Sequence, residues 1–177
     1  MVVKKVLILH GWGGSDAPHW QSWLATELVQ SGHIVSFAKL SDKDTPSKDV
    51  WIRETLEILD EFHPDVVICH SLANILWFHL CEILEFNVKK LLLVAVPRDL
   101  SDITELESFF PVNTPTNLYA DYALMVASDN DKYMSLNESM QLAFDLGIEL
   151  KVLKNGGHIN ADSGFGKWEW VLGWSIS

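Results

Sequence analysis

The chain has 177 residues, of which 48% are hydrophobic, and this length suits one domain with a full core but not two of ordinary size. Its formal net charge of −11 argues against nucleic acid and anionic membrane surfaces as partners, because no basic cluster is large enough to overcome that field. We therefore predict a single domain over residues 1–177.

The first fourteen residues, MVVKKVLILHGWGG, hold two lysines followed by one short apolar run at residues 6–9. That run is too short for the core of a signal peptide and far too short to span a bilayer. Without a secretion signal, Cys69 and Cys81 are expected to be reduced and buried rather than joined in a disulfide. A cytoplasmic location is therefore expected.

Short apolar runs alternate with segments of helical pattern along the chain. The runs, rich in Val, Ile and Leu, occupy residues 6–9, 34–38, 66–69, 91–96, 124–127 and 150–153. The helical segments occupy residues 20–30, 50–62, 72–84, 136–146 and 167–174. Continuous apolar strands are typical of a sheet covered on both faces, and the alternation predicts parallel βαβ units. The fold class is therefore predicted to be α/β.

Local signals mark several helix boundaries. Thr45 and Pro46 suit a cap and a first-turn proline before the second helix. Ser135 with Glu138 is typical of a capping box, and Gly147 suits a left-handed stop at the end of the same helix. One segment, residues 97–118, is longer than an ordinary connection, contains three prolines and is interpreted as a small flap beside the sheet.

Four polar segments follow predicted strands, where the sites of open parallel sheets form. They are HGWGGS at residues 10–15, CHSLA at 69–73, SDND at 128–131 and GGHINADSG at 156–164. Together they bring a serine, two aspartates and a histidine to one edge, in the chain order Ser, Asp, His. This is a set of residue types that can perform nucleophilic catalysis.

Ser71 stands where the third strand gives way to a helix, so it is either a nucleophile on a sharp turn or an N-cap. A nucleophile elbow needs small residues two positions before and after the serine, and here they are Cys69 and Ala73. Alanine substitutes easily for glycine, whereas cysteine makes the match degenerate. The other two segments favour the nucleophile.

His158, flanked by Gly156 and Gly157, is the best candidate for the base that takes the serine proton. A carboxylate must then orient the imidazole, and both Asp129 and Asp131 can be presented by the turn after the fifth strand. Spacing alone does not decide between them.

The other histidines carry less weight. His10, His19 and His70 lie near the same loops, but no HxH or HExxH spacing supports a metal site, and none is predicted. His70 is interpreted as a turn-packing residue. His19 and Trp20 are expected to pack the first helix against neighbouring loops, with a pocket role as the alternative.

Taken together, LHGWGGSDAPHWQSWL, HSLA, ASDNDKYMS and GGHINADSGFGKW resemble the small serine hydrolase family of retinoblastoma-binding protein 9, over nearly the whole chain. The resemblance implies a compact α/β-hydrolase-like three-layer sandwich of about six mainly parallel strands, with helices on both faces and no large lid domain. In that family the acidic residue directly precedes a Pro-aromatic pair. Asp131, followed by Lys132 and Tyr133, fits this pattern better than Asp129 does.

A tetrahedral intermediate needs preorganised donors for its negative charge. The backbone NH of Leu72, directly after the nucleophile and at a helix start, is one expected donor. The resemblance implies that the NH of Trp12, after the His-Gly pair, is the second.

The leading hypothesis is a serine hydrolase in which Ser71, His158 and Asp131 cleave a small ester, thioester or amide without a cofactor. The expected partner is a small-molecule acyl substrate, with no nucleic acid and no membrane. The alternative is a catalytically silent protein of the same fold that binds a ligand or protein in the same cleft.

Overall fold

The computed structural model describes residues 2–177. In this part of the chain there are six strands: β1 (Lys5–Leu9), β2 (Ile34–Phe37), β3 (Val66–His70), β4 (Val88–Val94), β5 (Ala120–Ser128) and β6 (Glu149–Leu153). The same residues form five helices: α1 (Trp20–Gln30), α2 (Lys48–Phe62), α3 (Leu72–Leu80), α4 (Leu136–Leu146) and α5 (Glu169–Ile176). Two 3₁₀ turns, Thr104–Phe109 and Ala161–Ser163, follow β4 and β6.

The strands form one sheet in the order β2-β1-β3-β4-β5-β6, and every neighbouring pair is parallel. In the register, Cys69 on β3 pairs with Leu9 on β1, and His70 pairs with Val94 on β4. The carboxyl ends of these strands therefore meet at one edge. The predicted fold class, a compact α/β sandwich of about six parallel strands, is confirmed.

Apolar side chains cover both faces of the sheet and form two buried clusters. The first cluster packs β-strand residues such as Leu9 and Leu93 against α2, α3 and α4. The second packs Ile8 and Val126 against α1 and α5. Strands buried on both faces need apolar residues at successive positions, which is why β1 and β3 contain continuous apolar runs in the sequence.

β3 and α3 are the most deeply buried consecutive elements. All five residues of β3 and all nine residues of α3 are buried. A helix that is apolar around its whole circumference must be enclosed on every side, and α3 is enclosed by the first cluster. The turn between these two elements is therefore held between rigid neighbours.

The predicted boundaries of α1 and α4 agree with the structure, whereas those of α2, α3 and α5 differ, since α5 spans Glu169–Ile176 rather than residues 167–174. The capping box of Ser135 and Glu138 and the left-handed Gly147, with φ 67°, are confirmed. The prediction of a Thr45-Pro46 start for α2 was wrong, because Ser47 is the N-cap and the helix begins at Lys48. The third helix ends at Leu80 rather than at residue 84, although the NH of residue 84 still donates to the Leu80 carbonyl.

Residues 97–118 follow β4 at the carboxyl edge of the sheet and include the first 3₁₀ turn. Their side chains Leu100, Leu106 and Phe109 are buried in the first cluster. Within residues 2–177, no helix combines the length and apolar character that a membrane span requires.

Candidate active site

Ser71 occupies the turn between β3 and α3 in an unusual backbone conformation, with φ 55° and ψ −123°. A non-glycine residue in this region is strained by about 1–3 kcal/mol and persists only where its surroundings hold it. Its NH donates to the Val94 carbonyl at 3.0 Å. Although Ser71 stands at the N-cap position of α3, its side chain makes no capping hydrogen bond.

Gly11, in the loop after β1, lies directly against this turn. A Cβ atom at Gly11 would come within 2.8 Å of the Ser71 Cβ and 3.0 Å of the His70 carbonyl oxygen. Cys69 and Ala73, which make the elbow degenerate in sequence, are both fully buried in the first cluster. Gly11 is therefore the position beside this turn at which a side chain does not fit.

Asn74 clamps the turn from inside α3. Its side-chain NH₂ donates to the carbonyl oxygens of Ser71 and Val94, both at 2.8 Å. Its backbone NH donates to the Ser71 carbonyl at 2.9 Å. Because the Val94 carbonyl also accepts from the Ser71 NH, one buried amide joins both sides of the strained residue.

His158 links Ser71 to Asp131. Its Nε2 lies 2.8 Å from the Ser71 Oγ, and its Nδ1 lies 2.8 Å from the Asp131 Oδ2. A carboxylate accepts, so Nδ1 carries the hydrogen and Nε2 is free to accept from the serine hydroxyl. The side chains of His158 and Asp131 are only 8% and 4% exposed, which shields this chain of hydrogen bonds from water.

The structure separates the two candidate aspartates. Asp131 also accepts from the Tyr133 NH at 2.9 Å, which leaves its second oxygen for His158. Asp129 instead accepts from the Asn155 NH at 2.7 Å and is exposed. Only Asp131 therefore lies in contact with the imidazole.

Two neighbours of these aspartates, Ser128 at the end of β5 and Asn130 between the aspartates, join the turn after β5 to the His158 loop. The Asn130 Oδ1 accepts from the Gly157 NH and the Ser128 hydroxyl, both at 2.7 Å. The Ser128 Oγ in turn accepts from the Gly156 NH at 2.8 Å. These contacts fix the distance between the loop that carries Asp131 and the loop that carries His158.

The backbone of His158 is held on both sides. Its carbonyl accepts from Nε2 of His70 at 3.1 Å, and its NH donates to the Ser163 Oγ at 3.2 Å. Complete burial lowers the pKa of His70 well below its usual range, and nearby histidine charge lowers it further. His70 is therefore a neutral donor that positions the His158 loop, in agreement with its predicted role in packing the turn.

The two expected oxyanion donors lie in the loop after β1 and at the start of α3. Leu72 is the first residue of α3, where an NH has no partner within the helix. Among residues 2–177, the Trp12 NH donates to no protein group, whereas the Trp12 indole is fixed by a hydrogen bond to the Asp44 carbonyl. Gly11 precedes Trp12 and lies close to the start of α3, because a Cβ atom added to Gly11 would lie 3.3 Å from the Leu72 nitrogen.

His10 braces this loop from below. Its Nδ1 donates to the Gly11 carbonyl at 2.8 Å, and its Nε2 accepts from the Leu40 NH at 3.2 Å. Burial lowers its pKa, so the neutral ring that these two bonds require is favoured. Its position after β1 was visible in the sequence, but nothing in the sequence pattern indicated this bracing role.

A pocket of about 340 Å³ opens above Ser71. Its residues come from the β1 loop, the turn after β3, the 97–118 segment and the loops after β5 and β6, and they include Trp12, His19, His70, Ser71, Leu72, Leu100, Leu106, Tyr133, His158, Asn160 and Asp162. Trp20 packs beneath, where its indole donates to the Ile159 carbonyl at 2.8 Å. Among residues 2–177, no group of three or more His, Cys, Asp or Glu side chains is arranged to hold a metal ion.

Solved structures share this fold over almost the entire chain. The structure of YdeN from Bacillus subtilis superimposes with a TM-score of 0.87 at 22% identity, covering 98% of this chain and 97% of YdeN. A Xanthomonas campestris hydrolase of the alpha/beta superfamily gives 0.68 at 16% identity, covering 98% and 95%. The monoacylglycerol lipase of Paleococcus ferrophilus gives 0.73 at 12% identity, covering 97% and 93%. The predicted α/β-hydrolase fold is therefore confirmed.

The sequence matches known proteins as well. YdeN is 23% identical over 172 residues, which cover 93% of this chain and 90% of YdeN. The profile of the family described as "Serine hydrolase" matches residues 6–174. The chain therefore belongs to the serine hydrolase family.

Proposed function

We propose that this hydrolase cleaves an ester of a small acyl substrate, with thioesters and amides as chemically related alternatives, through a covalent acyl-enzyme. Ser71 is the nucleophile, His158 the general base and acid, and Asp131 the group that orients His158. The observation that carries the proposal is the hydrogen-bonded chain from the Ser71 Oγ through His158 to Asp131.

In the first half-reaction His158 Nε2 takes the proton of the Ser71 hydroxyl while Oγ forms a bond to the substrate carbonyl carbon. The carbonyl oxygen becomes an oxyanion that accepts from the NH groups of Trp12 and Leu72. His158 then gives its proton to the leaving alcohol, thiol or amine as the bond to that group breaks. Asp131 stabilises the imidazolium that exists between these two transfers.

In the second half-reaction a water molecule attacks the acyl carbon and gives a proton to His158. The bond from Oγ to the acyl carbon breaks, and the proton returns from His158 to Ser71. The products are a carboxylic acid and the restored hydroxyl. No step needs a metal or an organic cofactor, since every proton and electron pair is supplied by these residues, substrate and water.

The size of the pocket supports a small substrate. A volume of about 340 Å³ is at the low end of the range for small-molecule sites. Among residues 2–177, the connection from β4 to β5 that lines the pocket is short for a lid and holds one 3₁₀ turn, which supports a small or exposed acyl group. The Paleococcus relative is named as a lipase, and ester cleavage fits that likeness.

Three further expectations belong to the same proposal. The retinoblastoma-binding protein 9 branch is the part of the family that the four sequence segments resemble. A cytoplasmic site of action is supported by the free, buried Cys69 and Cys81. The net charge of −11 supports a small-molecule partner over nucleic acid or an anionic membrane.

The test is the mass of the intact protein after incubation with a fluorophosphonate, which phosphonylates activated serines. We expect one adduct on the wild type and none on Ser71→Ala, whose melting temperature should remain close to that of the wild type. Hydrolysis of p-nitrophenyl butanoate, measured as the acid released, should be lost in the same variant. A folded wild type that stays unlabelled would support the catalytically silent alternative and contradict the hydrolase.

A further inference from the structure

His19 is a buried histidine beside Ser71 to which the proposed reaction assigns no role. It is 5% exposed and contributes to the wall of the active-site pocket. Its ring packs 4.9 Å from the ring of His70, which in turn lies 5.3 Å from the ring of His158. The imidazole thus stands at the end of a row of three histidines that leads to the nucleophile.

The hydrogen-bonding state of His19 is determined by the helix that follows it. As the N-cap of α1, its Nδ1 accepts from the Gln21 NH at 3.2 Å. Burial, with a smaller contribution from the charge of His158, lowers the pKa of His19 to about 4. The ring is therefore neutral near pH 7 and must carry its hydrogen on Nε2.

This Nε2–H has no acceptor among the protein groups of residues 2–177. The other buried imidazoles of the site differ in this respect, since His70 donates to the His158 carbonyl and His10 donates to the Gly11 carbonyl. The Nε2 atom is open to solvent although most of the ring is buried, so water or a bound molecule can accept its hydrogen.

The pocket has two chemically different walls. Leu72, Leu100 and Leu106 belong to the first apolar cluster, on the α2, α3 and α4 face of the sheet. His19 and Asn160 are sequence neighbours of Trp20 and Ile159, which belong to the second cluster on the other face. A substrate that bridges the carboxyl edge therefore meets apolar side chains on one side and polar side chains on the other.

Charge at the rim restricts the polar part of the substrate. Asp16 and Asp162 both border the pocket. Asp16 is paired with Lys43 at 2.8 Å, whereas Asp162 is exposed and forms no ion pair among residues 2–177. A carboxylate or phosphate on the substrate would be repelled by Asp162, so an uncharged oxygen suits this wall better.

We propose that His19 is a substrate-binding residue whose Nε2–H donates to an uncharged acceptor oxygen, an ether, hydroxyl or carbonyl, on the side of the substrate that faces away from Leu100 and Leu106. The inference rests on the proposed hydrolase function and narrows its substrate class to amphipathic esters. Such an ester has an apolar half against the leucines and an oxygen-bearing half against His19.

Two substitutions test the roles of the two ring nitrogens separately. His19→Asn keeps an acceptor at the place of Nδ1, so the cap of α1 survives, and it removes the donor at the place of Nε2. His19→Gln keeps a donor near the place of Nε2 and removes the cap acceptor. Thermal unfolding should therefore show a lower melting temperature for the Gln variant than for the Asn variant.

The kinetic probes are two pairs of esters in which an ether oxygen replaces one methylene group. One pair varies the acyl half, p-nitrophenyl pentanoate and p-nitrophenyl 3-methoxypropanoate. The other varies the alcohol half, butyl butanoate and 2-methoxyethyl butanoate. For each enzyme, the ratio of kcat/KM within a pair cancels every effect of the substitution that the two esters share.

In one of the pairs we expect His19→Asn to lower the preference for the ether ester about fivefold, mainly through KM, while His19→Gln retains that preference. Equal ratios for wild type and His19→Asn in both pairs, with Ser71 still labelled by the fluorophosphonate, would overturn the role of His19 and leave the hydrolase intact. Absence of labelling in the folded wild type would overturn both.

Discussion

The Oγ of Ser71 and the Nε2 of His158 lie 2.8 Å apart although 87 positions of the chain separate the two residues. Two buried groups maintain this distance: Asn74 holds the strained turn, and His70 holds the carbonyl of His158. The contact between Ser71 and His158 is thus supported by two neutral side-chain donors that bind backbone carbonyl oxygens.

Replacing each of the two aspartates in turn by asparagine tests which one orients His158. Asp131→Asn should reduce kcat/KM by about 10³-fold or more, because an amide NH₂ donates to Nδ1 and leaves the hydrogen on Nε2, where it blocks acceptance from Ser71. Asp129→Asn keeps an acceptor for the Asn155 NH and should change kcat/KM by less than about threefold. Steady-state hydrolysis of p-nitrophenyl butanoate measures both, and the reverse ranking would assign the role to Asp129.

Gly11→Ala tests the close approach of the loop after β1 to the turn that carries Ser71. The new methyl group would lie 2.8 Å from the Ser71 Cβ, so we expect a loss of about 1–3 kcal/mol in the free energy of unfolding and slower fluorophosphonate labelling. Gly173→Ala in α5 is the matched control, because its Cβ would meet no atom within 4 Å. That variant should gain about 0.5–1 kcal/mol. Equal stabilities in urea titration would show that the contact at Gly11 is not tight.

Asn74→Ala tests the clamp on Ser71. Removal of the NH₂ leaves the buried carbonyl oxygens of Ser71 and Val94 with one donor fewer each, which should cost about 1–3 kcal/mol and lower the labelling rate. Asn87→Ala removes an exposed hydrogen bond to Asp121 and should change stability by less than about 0.5 kcal/mol. Unfolding in urea and labelling kinetics of both variants provide the comparison. An unchanged labelling rate in Asn74→Ala would mean that the turn keeps its shape without the clamp.

Acid should destabilise the fold in part through its buried histidines. The pKa of His19 falls from an ordinary 6.5 to about 4 on folding, so between these values the unfolded chain binds more protons than the folded chain. Stability from this group is complete above about pH 6.5 and is lost as the pH falls towards 4, by at most about 1.4 kcal/mol per pH unit. Urea titrations at pH 7, 6 and 5 should show a shallower decline for His19→Asn than for the wild type. Parallel declines would contradict the depressed pKa.

The four central strands could be predicted from the sequence because they are largely buried on both faces and so contain uninterrupted apolar runs. The predicted core of each strand lies within, or within two residues of, the strand in the structure. The capping box at Ser135 was equally readable, because both of its hydrogen bonds join residues that are three positions apart. The start of α2 could not be predicted in the same way. Thr45, Ser47 and the proline between them all suit a helix start, and only packing selects one of them.

The site could be predicted only as far as its segments. Asp129 and Asp131 share one turn, and the contact that separates them is a hydrogen bond from Asn155, 26 positions away from Asp129. The contacts of Asn74 with Val94 and of His10 with Leu40 likewise join residues that are distant in the chain. Short polar motifs carry no information about such contacts, whereas the register of β3 beside β1 and β4 does.

The complete burial of β3 and α3 has a consequence for motion at Ser71. A segment with no exposed face has no local route by which its amide hydrogens reach solvent, so exchange must wait for opening of the whole core. The hydrogen-bonded amides of residues 66–70 and 76–80 should therefore exchange with deuterium only at the rate of global unfolding, whereas the Leu72 NH faces the pocket. Ser71 is therefore expected to keep its native conformation until the core unfolds. Partial opening should be confined to the surrounding loops.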